Sequence, residues 1–263
     1  MSEIIVFKVG TGVLTQDNGS LDGRSLVRLV TALALIKDAG HKVILVSSGA
    51  VGAGVPILGL EKYPDDVQTR QAAAALGQVR LMHNYQMLFA QFGMVPAQIL
   101  LTRGDLETLR RRKRIKQTLT RLLEEDKVIP IVNENDSIAV NELRIGDNDM
   151  LSARLANAMG AKRLILLSTI DGLQNGVGGN VIEEVHDIED VMHLARNESG
   201  RFSIGGMASK LKAVKHALHY NIEVMIANGR DAENLDAIVR GEGKGTRFHC
   251  PKNPLDLSDE EEE

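Results

Sequence analysis

Tryptophan is absent from this 263-residue chain, aromatic residues make up 3% of it, and cysteine occurs once, at Cys250. Each scarcity excludes something. So few rings leave no stacking platform for bases or sugars, and a lone cysteine cannot close an internal disulfide. No apolar run approaches the roughly 18 residues needed to span a bilayer. The N-terminus passes from Met1-Ser2-Glu3 into a strand-like run without the basic and apolar regions of a signal peptide. A formal net charge of −4 holds no general attraction for nucleic acid or anionic lipid. The expectation is a cytoplasmic protein with no membrane and no nucleic-acid partner. Two phosphate-binding fingerprints are also missing. Thr15 stands near where a dinucleotide loop needs its third glycine, and the loop of spaced glycines followed by Lys and Ser or Thr has no copy in the chain.

What is present begins with Ile4-Ile5-Val6-Phe7-Lys8-Val9-Gly10-Thr11-Gly12. The β-branched run reads as a strand buried on both faces, and the glycines let backbone come close to a ligand. Lys8 is costly to bury unpaired, so it either aims at an anion beyond the strand's C-terminal end or snorkels from an edge strand. A helix follows over 24–39, stopped by Gly40, and then a second strand over 41–46. Ser47-Ser48-Gly49-Ala50-Val51-Gly52-Ala53-Gly54 at its end reads as a small-residue turn, suited to a ligand or to close packing. Residues 65–92 read as one helix with a possible break at Gly77. Its small face at 72–76 fits either an internal contact or a subunit interface, and a homo-oligomer is expected.

Residues 94–101 read as a strand and 105–125 as a charged helix whose Arg110-Arg111-Arg112-Lys113-Arg114 run is a solvated face, since no aromatics interleave it. The strand Val128-Ile129-Pro130-Ile131-Val132 ends in Asn133-Glu134-Asn135-Asp136, where open α/β sheets bind ligands. Soon after, Ile145-Gly146-Asp147-Asn148-Asp149 opens a helix over 150–159; helix capping explains one aspartate there but not the whole group. Arg163 to Leu167 is a strand ending at Ser168-Thr169-Ile170-Asp171, 176–180 a hairpin or loop, and 187–196 a helix. Ser203-Ile204-Gly205-Gly206-Met207-Ala208-Ser209-Lys210 enters a further helix, and glycines before a helix N-terminus favour an anion. His216 and His219 share that helix without a visible third ligand, so no metal-ligating set is read. A strand over 222–227, a helix over 231–239 and an acidic tail too charged to fold complete the chain. Alternating strands and helices predict an α/β protein with a mostly parallel sheet and helices on both faces. Lysines, glycine turns and acids at strand ends suit phosphoryl transfer, which rests on positioning and charge neutralisation.

Taken together, Lys8-Val9-Gly10-Thr11, Ser47-Ser48-Gly49-Ala50, Asn133-Glu134-Asn135-Asp136, Gly146-Asp147-Asn148-Asp149 and Gly205-Gly206-Met207 with Lys210 resemble, in order, the motifs of the glutamate 5-kinases of the amino acid kinase superfamily. The resemblance runs from Ile4 to Phe248. It implies a three-layer αβα sandwich over 1–250, an acidic tail over 251–263, and no C-terminal RNA-binding-like domain. It implies transfer of the γ-phosphoryl of ATP, with Mg2+, to the side-chain carboxylate of L-glutamate, the first step toward proline, with feedback by proline. Lys8, Lys210 and Asp149 would be catalytic, and Ser48, Asp136 and Asn148 would bind glutamate. Lys8, Ser168, Thr169, Ile204, Gly205, Gly206, Met207, Ala208, Ser209 and Lys210 would hold ATP. The chain departs from the family pattern at Thr169, usually aspartate, and at Ser203-Ile204, usually Gly-Thr. The rivals are a same-fold kinase with another acceptor, such as N-acetylglutamate, and a silent glutamate sensor.

Overall fold

The first strand, β1 (Ile4–Val9), divides its side chains between two cores: Ile5, Phe7 and Val9 enter one and Val6 the other. A strand covered on both faces needs helices above and below it. The computed structural model, which describes residues 2–16, 19–139, 148–176, 178–196, 206–231 and 233–251, supplies them. In chain order β1 is followed by α1 (Thr11–Leu14), α2 (Gly23–Asp38), β2 (Lys42–Ser47), α3 (Ala50–Gly54), α4 (Val67–Ala90), β3 (Val95–Leu101), α5 (Arg103–Glu107), α6 (Leu109–Leu123) and β4 (Val128–Glu134). Then come α7 (Asn148–Met159), β5 (Arg163–Ser168), β6 (Glu184–Val185), a 3-10 turn (Met192–Arg196), α8 (Gly206–His219), β7 (Glu223–Asn228), α9 (Asn234–Arg240) and β8 (Thr246–Phe248).

The described strands form one sheet in the order β3-β4-β2-β1-β5-β7-β8-β6, parallel except where β8 runs against β7. Helices α2, α4 and α9 cover the face of Phe7; α6, α7 and α8 cover the face of Val6. This is the expected αβα sandwich, with β1 at its middle. Because side chains alternate along a strand, Lys8 shares its face with Val6 and is aimed toward α7 and α8.

Several local expectations are revised. The helix over 65–92 runs unbroken through Gly77, because a Cβ there would come 1.8 Å from Ala50 O. A Cβ at Gly54 would meet Ala73 O at 1.9 Å, so the small residues of both segments seat α3 against α4. The Ala73 and Ala74 part of the small face is thus an internal contact, while Ala72, Ala75 and Leu76 are exposed, and part of the supposed turn at 47–54 is a short helix. The helix over 105–125 is two helices, parted where Thr108 takes an extended conformation (φ −80°, ψ 117°). Over 187–196 only the 3-10 turn forms: Asp187 Oδ1 accepts a hydrogen bond from Glu189 N at 2.9 Å, which turns the chain before a helix starts. The two- and three-residue strands β6 and β8 are too short to leave a sequence pattern. Much of the 110–114 run is exposed, as a solvated face should be. Residues 252–263, the expected tail, lie outside the described residues.

Candidate active site

Lys8 is 6% exposed, and an ammonium so buried requires a counter-charge. Asp149, in the first turn of α7, provides it: Lys8 Nζ stands 2.7 Å from Asp149 Oδ1. A second ammonium, Lys210 from α8, lies 3.1 Å from the other oxygen, Oδ2. Both neighbours of the carboxylate are therefore cations, and the buried trio carries one net positive charge. Burial pushes the Asp149 carboxyl up, but Lys8 and Lys210 outweigh it and hold the group below the usual carboxylate range. The start of α7 adds a favourable dipole, and Ser152 Oγ donates to Asp149 O at 2.6 Å.

Beside this charged group lies a neutral one. Asn148 Nδ2 donates to Ser48 Oγ and to Asn133 Oδ1, each at 3.0 Å, with Ser47 O farther off at 3.4 Å. Asn133 Nδ2 donates to Gln78 Oε1 at 2.9 Å, and Gln78 Nε2 donates to Gln98 Oε1 at 2.9 Å. Ser47 Oγ pairs with the buried Tyr85 hydroxyl at 2.8 Å, and burial raises that phenol. The carbonyl Oδ1 of Asn148 is buried with no hydrogen-bond partner among the described residues. An amide so fixed by its nitrogen presents its oxygen to a donor from a ligand. Asp136, in the turn after β4, has its carboxyl pushed by burial up to about 6, and its charge adds to the burial that raises nearby Tyr63 to about 12.

The neutral set and the β5 strand end fall on opposite sides of β1, with Lys8 between them. Ser47, Ser48 and Asn133 come from β2, its end, and β4; Ser168 ends β5, on the other flank. Gly10 N donates to Leu167 O at 3.1 Å, and a Cβ on Gly12 would stand 3.1 Å from Thr169 Cγ2, so Thr169 closes over the glycine turn. Met207 is buried in the core under α8, whereas Ala208 is exposed. Gly206 opens α8. Ile204 and Gly205, with Gly146 and Asp147, lie outside the described residues. Sequence reading missed Gln78, Gln98 and Tyr85. The available signal was a glutamine on the buried face of α4, three residues before Leu81, where an apolar residue is the rule.

The profile of the amino acid kinase family matches residues 3–228. The glutamate 5-kinase of Clostridium acetobutylicum is 42% identical over 257 residues, covering 95% of this chain and 95% of that protein. The chain belongs to the glutamate 5-kinases of the amino acid kinase family. The Clostridium perfringens glutamate 5-kinase is 41% identical over 95% of this chain and 97% of its own length. The Photorhabdus laumondii one is 38% identical, with 97% of this chain matching 71% of that protein. Among solved structures, Giardia lamblia carbamate kinase bound to AMP-PNP has a TM-score of 0.64 at 15% identity, covering 94% of this chain and 98% of its own. Bacillus anthracis UMP kinase has a TM-score of 0.63 at 15% identity, covering 94% and 96%. At such identities these two share the amino acid kinase fold and nothing finer. No helix among the described residues is long and apolar enough to cross a membrane.

Proposed function

We propose that this glutamate 5-kinase family member phosphorylates the side-chain carboxylate of L-glutamate with ATP. An oxygen of that carboxylate attacks the γ-phosphorus, the bond from it to the β–γ bridging oxygen breaks, and L-glutamyl 5-phosphate and ADP result. The observation that carries this reading is the buried Lys8–Asp149–Lys210 group at the end of β1, between the Ser48 hydroxyl and Asn148 amide on one flank and the β5 strand end on the other. Two ammonium groups with one carboxylate between them leave a positive charge that the transferring phosphoryl group completes. Asp149 holds both lysines where that charge passes.

On the acceptor flank, Asn148 Oδ1, without a hydrogen-bond partner among the described residues, calls for a donor, and the half-buried Asp136 carboxylate calls for a cation. The α-ammonium of glutamate meets that demand, and Ser48 takes part beside it. An N-acetylated amine has no charge for Asp136, which disfavours N-acetylglutamate. On the donor flank, Ser168, Thr169 and the 204–210 segment with Lys210 hold the nucleotide. ATP brings Mg2+ on its phosphates: both oxygens of Asp149 are engaged by lysines, so this carboxylate builds no metal cage. Bound there, Mg2+ neutralises phosphate charge.

The same reading places the enzyme in the cytoplasm, at the first step toward proline. Proline, which shares the ammonium and carboxylate of glutamate, is the expected feedback ligand. Assembly with further copies is supported by Leu76, Val79 and Met87, exposed along the outer side of α4. The test is ADP release with Mg-ATP and either glutamate or N-acetylglutamate, with hydroxylamine trapping of the acyl phosphate. Glutamate should be preferred by a factor on the order of a hundred or more, as for a buried charge left unpaired. Equal rates, or ADP release without hydroxamate, would overturn the assignment.

A further inference from the structure

The outer edge of the sheet carries a cluster that phosphoryl transfer does not use. Strands β6 and β8 are parallel, with Glu184 beside Arg247 and Val185 beside Phe248. The next residues along, His186 and His249, therefore come side by side, and Glu184 shares their face because side chains alternate. The two imidazole rings stack with centroids 4.6 Å apart and planes 19° from parallel. Both Nε2 atoms approach one carboxylate oxygen: Glu184 Oε2 is 3.7 Å from that of His186 and 3.6 Å from that of His249. Neither distance is a hydrogen bond. His249 Nε2 is moreover buried with no hydrogen-bond partner among the described residues. The fourth side chain on this face, Arg247, is drawn away, its Nη2 donating to Gly241 O at 2.8 Å.

Three ligand atoms lie within 4.8 Å of one another, neither Nε2–Oε2 approach is a hydrogen bond, and a turn of the exposed His186 and Glu184 side chains brings them around one ion. Ligands held at Zn–N and Zn–O lengths of about 2.0–2.2 Å around a tetrahedral ion stand roughly 3.3–3.6 Å apart, close to the 3.7 and 3.6 Å between Glu184 Oε2 and the two Nε2 atoms. Two imidazoles and one carboxylate suit a nitrogen-seeking transition-metal dication rather than Mg2+ or Ca2+, which prefer all-oxygen sets. We propose that Glu184, His186 and His249 bind such a dication, with Zn2+ as its representative and water as the fourth ligand. Cys250 is not part of the set: it alternates to the other face and packs against the core.

The site is remote from the chemistry. Strand β8 runs against β7 with Phe248 opposite Val224, so His249 lies at the N-terminal end of β7, whereas Lys8 and Ser168 are at the C-terminal ends of their strands. A bound ion would fasten the two-residue β6 to β8 and so hold the edge of the sheet. Its effect belongs to stability, not turnover.

The experiment uses the full chain, stripped with a chelator and titrated with Zn2+ against a chromophoric competitor. One equivalent should bind. His186→Ala and His249→Ala should each weaken binding by about tenfold or more, as the loss of a ligand requires, and Glu184→Gln should act in the same direction. His216→Ala, which alters the other histidine pair, should leave affinity unchanged. Zn2+ should raise the Tm of the parent protein but not that of the His186→Ala/His249→Ala double variant. Retained glutamate-dependent turnover certifies that each variant is folded; where His186→Ala fails this check, His186→Asn replaces it. Absence of Zn2+ uptake at micromolar concentrations, unchanged affinity in both histidine variants, or displacement of Zn2+ by equimolar Mg2+ would overturn the proposal.

Discussion

The charged and neutral halves of the site meet at the first turn of α7, which supplies both Asn148 and Asp149, but they solve different problems. Lys8, Asp149 and Lys210 are 6%, 2% and 6% exposed, and two cations meet one anion. Such a group sets two positive charges against one negative and responds to an anion that develops beside it, in surroundings where charge counts for more than in water. Asn148, Asn133, Gln78 and Gln98 carry no charge and are joined amide to amide, each bond fixing the next. That chain discriminates by shape and pairing, because a ligand of the wrong pattern leaves a buried amide unpaired. The lesson is a division of labour: charge where the reaction changes charge, amides where the substrate must be told from its analogues.

The sharpest way to break this division is to remove the charges. Lys8→Ala and Lys210→Ala should each lower kcat by about a hundred- to a thousandfold, the range for losing one preorganised donor to a developing anion. Near-normal kcat in either variant would refute a catalytic role for that lysine. Asp149→Asn keeps the shape but releases both ammonium groups, and kcat should fall by about ten- to a hundredfold with little change in the glutamate KM. A pure KM effect would mean that the acid binds substrate and the two halves are one.

Asp136 tests the comparison through pH. Burial raises its carboxyl to about 6, so at neutral pH it is ionised and able to meet an ammonium. As pH falls through that value it becomes neutral, and the glutamate KM should rise about tenfold by pH 5 while kcat at saturation changes less. In Asp136→Asn the KM should be high throughout and this pH dependence absent. The sign for stability is opposite. The folded protein holds this proton more tightly than the unfolded chain does, so the group's contribution to stability declines as pH rises from about 4 to about 6. At pH 7 Asp136→Asn should therefore melt a few degrees higher than the parent. A variant with both lower Tm and unchanged KM would remove Asp136 from the substrate site.

How much of this was legible in the sequence varies with the range of the interaction. The sheet was readable because β-branched runs alternate with amphipathic helices, and Lys8 stood out as one charge in an apolar strand. What brings Asp149 and Lys210 onto it is the packing of α7 and α8 over the face of Val6, which no local pattern states. The glycines were ambiguous for the same reason: the requirement at Gly54 and Gly77 comes from backbone of the neighbouring helix, not from a turn or a ligand. At 187–196 apolar spacing suggested a helix, but Ile188 and Val191 reach the core from a turn that Asp187 starts. The histidine pair on α8 drew attention by spacing, yet both rings rest edge-on against Tyr220. The pair that does converge, His186 with His249, is 63 residues apart and joined only by strand register.

The smallest expected effect probes the far end of the amide chain. Gln78 touches neither ammonium group of the trio; its Oε1 accepts from Asn133 and its Nε2 donates to Gln98. Gln78→Leu would strand Asn133 Nδ2 in a buried place, at a cost of about 1–3 kcal/mol of stability, while the exposed Gln98 turns to water. Freed on one side, Asn133 no longer fixes Asn148, and the glutamate KM should rise a few-fold, a change of order 1 kcal/mol, with kcat unaltered. Tm and KM read together separate positioning from mere folding: if Tm falls while KM stays unchanged, the chain only holds the sheet to α4. If instead Gln78→Leu lowers kcat, the neutral half reaches into the charged one.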